Sequence, residues 1–139
     1  MSHPRAFISF DFDNNKLHKD FFVGQAYNSR TPFNIQDWSS KEPLPQREWE
    51  TLINDKINKC NLMIVLVGNN TYKAIGVIKE IQFAIANNIP FFGVYVDEAN
   101  IYTPLPTGLS RNRTIKWGWD IIANHVLLCM SEGKNKSLY

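Results

Sequence analysis

LMIVLVG (Leu62–Gly68), NNTYKAIGVIKEIQFAIANN (Asn69–Asn88) and IPFFGVYV (Ile89–Val96) follow one another without a break: an apolar run, an amphipathic segment and a second apolar run. An unbroken apolar run of strand length needs cover on both faces of its sheet, which a sheet with one wet face does not supply. The stretch therefore reads as a parallel strand, helix, strand unit. Its helix crosses right-handedly over the sheet, and ligands of such sheets gather outside the carboxyl ends of the strands.

On the middle helix, Ala74, Val77, Ile78, Ile81, Ala84 and Ile85 recur by threes and fours and share the face turned to the sheet. Glu80 lies beside that stripe, neither central nor opposite. One turn earlier on the same flank is Gly76, which weakens a helix interior and leaves a gap over which a ligand reaches the carboxylate. The competing reading makes Glu80 a solvated flank residue near Lys73 and Lys79, and periodicity alone favours it.

Working outward, AFISFDF (Ala6–Phe12) is β-rich and reads as a first strand, with Asp11, Asp13, Asn14 and Asn15 at its carboxyl edge. Asp13 is read as the cap of the next helix, and Asp11 is open between capping and ligand binding. Lys16–Tyr27 is a short helix with Leu17, Phe21 and Gly24 on its packed face. PFNIQDW (Pro32–Trp38) alternates as a strand with one wetter face. Trp38 at its end is equally a packing aromatic and a stacking platform for a base.

The loop SSKEPLPQ is irregular and exposed, a place where binding residues concentrate. Trp49, Leu52, Ile53 and Ile57 mark a helix over Gln46–Lys59, completing a second strand-helix-strand unit. Beyond the central unit, Asp97–Asn112 is a long connection without regular structure. RTIKW (Arg113–Trp117) is a short last strand, Trp119, Ile122, Val126 and Met130 mark a last helix, and SEGKNKSLY is a polar tail expected to fray. Five strands alternating with helices imply an open α/β sheet of flavodoxin-like type, strand order 2-1-3-4-5, with helices on both faces. A single domain is expected over 1–139, its core at about 4–131.

The 139 residues are 44% hydrophobic and 13% aromatic, enough for one packed core. Fifteen basic against thirteen acidic residues leave a formal charge of +2, with no run that marks a nucleic-acid or membrane surface. MSHPRAFISF has no signal-peptide pattern, and no apolar run approaches the roughly 20 residues that span a bilayer. Cys60 and Cys129 read as reduced, buried thiols, so a cytoplasmic location is expected. His3, His18 and His125 show no ligand spacing, so no metal site is expected, and His125 reads as a boundary residue of the last helix. GxGxxG after the first strand and GxxxxGK[ST] are both missing, which argues against a Rossmann dinucleotide site and a P-loop.

Taken in order, RAFISFDFD (Arg5–Asp13), FNIQDWS (Phe33–Ser39), LMIVLVG, KEIQFAI (Lys79–Ile85) and FFGVYV resemble a Toll/interleukin-1 receptor (TIR) domain. The resemblance is to the bacterial branch that includes the TIR subunits of Thoeris anti-phage systems, and it covers about Pro4–Met130. Many such domains cleave NAD+ between nicotinamide and ribose, with a catalytic glutamate on the helix after the third strand. That position falls on Glu80. The resemblance implies further that Phe10, Asp11, Trp38 and Ser39 border the substrate, that NAD+ is a substrate and no cofactor is needed, and that copies self-associate. It implies too that an ADP-ribose-derived product signals to a separate effector. The chain departs from receptor-type members in carrying SSKEPLPQ for their RDxxPG-like loop and IKWGWD for their FW pair.

Three alternatives compete. A nucleoside deoxyribosyltransferase-like N-glycosidase has a similar fold and also relies on a glutamate at sugar C1, and a non-catalytic TIR module only assembles. A phosphoacceptor receiver domain needs an aspartate at the end of the third strand, where Gly68 and Asn69 stand.

Overall fold

A computed structural model describes residues 4–28, 31, 33–40 and 44–138. Its five strands, β1 (Arg5–Ser9), β2 (Asn34–Trp38), β3 (Leu62–Val67), β4 (Phe91–Tyr95) and β5 (Thr114–Ile115), form one sheet in the order β2-β1-β3-β4-β5. Every pairing is parallel. Four helices complete it: α1 (Phe12–Asn28), α2 (Gln46–Asn58), α3 (Ile75–Ala86) and α4 (Trp119–Cys129). This is the expected flavodoxin-like architecture. Pro32 and the loop residues Lys41, Glu42 and Pro43, like His3 and the first residues of the leader reading, lie outside the described residues.

The two-residue period of the strands sorts the core into two layers. Ile8, Ile64, Leu66 and Val94 meet Phe22 of α1 and Ile122 and Val126 of α4 on one face. Phe7, Met63, Val65 and Val67 meet Ile53 and Ile57 of α2 and Val77 and Ile81 of α3 on the other. All six residues of β3 are buried, as a central strand covered twice requires.

Several expectations are corrected. β1 stops at Ser9 instead of reaching Phe12, because the Asp11 carboxylate and carbonyl accept the backbone N–H groups of the next turn and start α1. Asp11, not Asp13, is thus the cap. Leu17 and Phe21 are 61% and 54% exposed and nothing packs on Gly24, since α1 buries Asn15, Lys19, Phe22 and Ala26 instead. These follow one another at the helical period on the opposite side. A three-residue 3-10 turn, Thr71–Lys73, delays α3, so its buried stripe is Val77, Glu80, Ile81 and Ala84 and Ile85 is left 57% exposed. The last strand shrinks to Thr114–Ile115 behind a 3-10 turn over Arg111–Arg113.

The tail does not fray over its described part. It turns into a 3-10 segment, Gly133–Leu138, whose Asn135 is fully buried and donates to the carbonyls of Asn61 and Cys129 at 2.8 and 3.0 Å. The Asn61 side-chain amide donates in return to Asn135 Oδ1 at 3.2 Å. Both cysteines are free and buried, and burial pushes each thiol up to about 12. Among the described residues no helix is long and apolar enough to cross a membrane.

Candidate active site

Where β1 and β2 run side by side, their register slips by one residue between Ala6 and Phe7. In a strand a one-residue slip exchanges faces. Ala6 pairs with Ile35, but Phe7 pairs with Asp37 and Ile8 with Trp38. Trp38 is thereby sent to the α1/α4 side and Ser39 to the α2/α3 side, abreast of Ser9. Both serines arrive where α3 crosses.

Glu80 meets them there. It is 1% exposed, and its Oε1 accepts the Ser9 hydroxyl at 2.7 Å and the Ser39 hydroxyl at 2.5 Å. Ser39 is itself fixed, because the Phe10 N–H donates to its Oγ at 3.0 Å and its own N–H bonds to the Ile8 carbonyl at 2.9 Å. The flank position read from the sequence is thus a central one, and the carboxyl group sits inside the protein.

Burial is the main influence on this group and pushes its pKa up to about 8; the Ser39 and Ser9 hydrogen bonds and the charge of Lys56 pull the other way. Oε2, by contrast, is buried without a hydrogen-bond partner among the described residues. Since Oε1 already accepts two hydroxyls, the proton of the neutral acid belongs on Oε2. The site therefore offers one uncommitted oxygen, an O–H donor below that pKa and an acceptor above it.

Glu80 lines a cavity of about 630 Å³ at the carboxyl edge of β1 and β2. That volume lies within the range of small-molecule sites. Phe10, Asp11 and Ser39 line it too, so four of the five residues singled out from the sequence come together. Trp38 does not. It is 36% exposed and absent from the lining, and the Lys19 ammonium lies 4.8 Å from the centre of its ring.

Sequence reasoning missed other members. Ser9 stood inside a strand pattern, marked only as a polar residue in an apolar run. Trp49 looked like part of an ordinary apolar stripe, yet it lines the cavity from α2 and its indole N–H donates to the Ser40 carbonyl at 3.0 Å. A Cβ added to Gly76 would touch only that indole, at 3.9 Å, so Trp49 stands over the glycine one turn before Glu80. The Ser40 hydroxyl, also in the lining, is a second buried polar atom without a partner among the described residues.

A doubly wound parallel sheet with a buried glutamate on its third helix, held by serines from two strand ends, is an α/β domain of flavodoxin-like type, the fold of TIR domains. The family model for the TIR-like domain of the Thoeris protein ThsB matches residues 7–101, more than two thirds of the chain. The chain belongs to that family, and with it to anti-phage defence. The matched span runs from β1 past β4 and contains every described lining residue of the cavity. No curated protein matches the chain.

Proposed function

We propose that the domain cleaves NAD+ at the bond between nicotinamide and ribose, with Glu80 as the catalytic residue. One observation supports the reading: a buried carboxyl group that lines a ligand-sized cavity has one oxygen held by two serines and the other without a partner among the described residues. Buried polar atoms are nearly always satisfied, so an orphan on a residue that lines a cavity supports an occupant there.

The chemistry suits a lone carboxylate. As the C1′–N bond breaks, its electron pair passes to the pyridinium nitrogen, which becomes neutral nicotinamide without needing a proton. Positive charge builds on the ribose as an oxocarbenium ion, and the ionised Oε2 stabilises it from the cavity floor. The substrate itself promotes this ionisation, because a pyridinium beside the acid lowers its pKa. Water at C1′ then gives ADP-ribose and a proton, whereas a nucleophile of the same nucleotide gives a cyclic product.

Phe10 and Asp11 shape the cavity beside the reacting sugar, while Ser9 and Ser39 are positioning residues that hold Oε1. Consistent with the defence setting, the product serves as a signal to a separate effector, and copies of the domain assemble. The test is mass spectrometry of small molecules after mixing concentrated protein with NAD+. Free nicotinamide, released with an ADP-ribose-derived partner, is expected; intact NAD+ after prolonged incubation contradicts the proposal.

A further inference from the structure

Charge is unevenly spread around the cavity. Asp11, Asp13 and Glu80 line it, and Lys73 is the one cationic side chain among the described lining residues. Lys73 is exposed, and no ion pair engages it among the described residues; its nearest ring is that of Tyr72, at 6.0 Å. It stands immediately before α3.

At that helix start the cap residue is Ala74, which offers no side-chain acceptor. The Ala74 carbonyl accepts the Ile78 N–H, so the N–H groups of Ile75, Gly76 and Val77 precede the first intrahelical bond and have no acceptor within α3. All three residues line the cavity. α2 and α4 also start without a side-chain cap, whereas α1 has its first turn closed by Asp11; of the uncapped helices, α3 is the one whose first three residues line the cavity. An independent sign that the cavity takes a ligand is the unpartnered Oε2 of Glu80, which is 1% exposed.

Free N–H groups, the positive end of a 12-residue helix and an unpaired ammonium form a seat for a polyanion. Gly76 precedes Glu80 by four residues, about 6 Å along the helix axis, a span that a pentose with its 5′ carbon covers. From this juxtaposition we propose that Lys73 and the uncapped first turn of α3 bind the diphosphate of a dinucleotide whose cationic sugar end lies against Glu80. The inference rests on the NAD+ reading and adds to it the orientation of the substrate.

The experiment compares ADP with adenosine by titration calorimetry against the full chain, alongside nicotinamide release from NAD+. The wild-type protein is expected to bind ADP about tenfold or more tightly than adenosine, the effect of charge-assisted bonds. Lys73→Glu should remove about tenfold of the ADP affinity and none of that for adenosine, raising KM for NAD+ with kcat little changed. Ile75→Pro supplies a second probe, because proline fits the first helical position after the extended Ala74 and deletes one N–H. It should cost about threefold in ADP affinity, the share of one donor among several.

Equal binding of ADP and adenosine, or ADP binding indifferent to Lys73→Glu, overturns the subsite even if NAD+ is cleaved. ADP binding through Lys73 in a protein that never releases nicotinamide supports the subsite and removes the reaction.

Discussion

The two edges of the sheet treat buried polar groups in opposite ways. At the amino edge the fully buried Asn135 uses its amide on the carbonyls of Asn61 and Cys129 and its oxygen on Asn61, while Arg113 pairs with Glu132 at 2.8 Å and bonds the Phe91 carbonyl. At the carboxyl edge Glu80 Oε2, Ser40 Oγ and, outside the cavity lining, Trp117 Nε1 are buried without a partner among the described residues, and α2, α3 and α4 all begin without a side-chain cap. Each unmet group costs about 1–3 kcal/mol. A chain that satisfies such groups at one edge and leaves them open at the other is consistent with the ligand site proposed at the second.

The largest test of this contrast is pH. The folded protein holds Glu80 at about 8 against an ordinary 4.5. For a raised acid the sign is fixed: the protonated form folds better, so its contribution is complete below pH 4.5 and is lost as pH rises through 8. Above pH 8 the loss is on the order of 5 kcal/mol, an upper bound that water entry reduces. Glu80→Gln lacks this loss, so its denaturant midpoint should overtake the wild-type midpoint progressively above pH 5. Parallel stability curves for the two proteins between pH 5 and 9 would contradict the burial of an uncompensated acid.

Next in size is the amino edge. Asn135→Ala leaves two carbonyls short of a donor and should cost about 2 kcal/mol, read as a Tm lower by roughly 5–10 °C. Nicotinamide release per folded molecule should not change. A variant that keeps its Tm would show that this edge is not held by those bonds.

Smaller again is Ser9→Ala, which removes one of two hydroxyls from Oε1 and raises the Glu80 pKa further. The rate at neutral pH should fall about tenfold, the worth of one hydrogen bond to a charged group, and recover partly as pH rises. A rate loss independent of pH would point to distortion of the site and not to control of its ionisation.

How much of this was legible beforehand varied with the physics involved. The strand order and the two helical layers followed from continuous apolar runs alternating with amphipathic ones, because burial on both faces leaves that mark in sequence. Glu80 stands out in the sequence, but its depth does not, because the buried stripe of α3 runs Val77, Glu80, Ile81 and Ala84, to one side of the stripe that the apolar residues alone mark. Trp38 and Ser39 show the limit most clearly. Alternation carried straight from Phe33 through β2 sends Trp38 to the face of Glu80 and Ser39 away from it. The register slip between Ala6 and Phe7 reverses both assignments, and pairing with a neighbouring strand is not written in either strand alone. Asn135 was read as part of a frayed tail for a similar reason: its partners Asn61 and Cys129 come from other elements.

The central claim is that the open oxygen of Glu80 breaks the glycosidic bond of NAD+. The measurement that meets it most directly is nicotinamide release by concentrated wild-type protein and by Glu80→Gln, with the fold of each verified by circular dichroism. The account predicts release by the first and a loss of roughly 10²-fold or more in the second, the usual cost of deleting such an electrostatic contact. Equal rates from two folded proteins would contradict it.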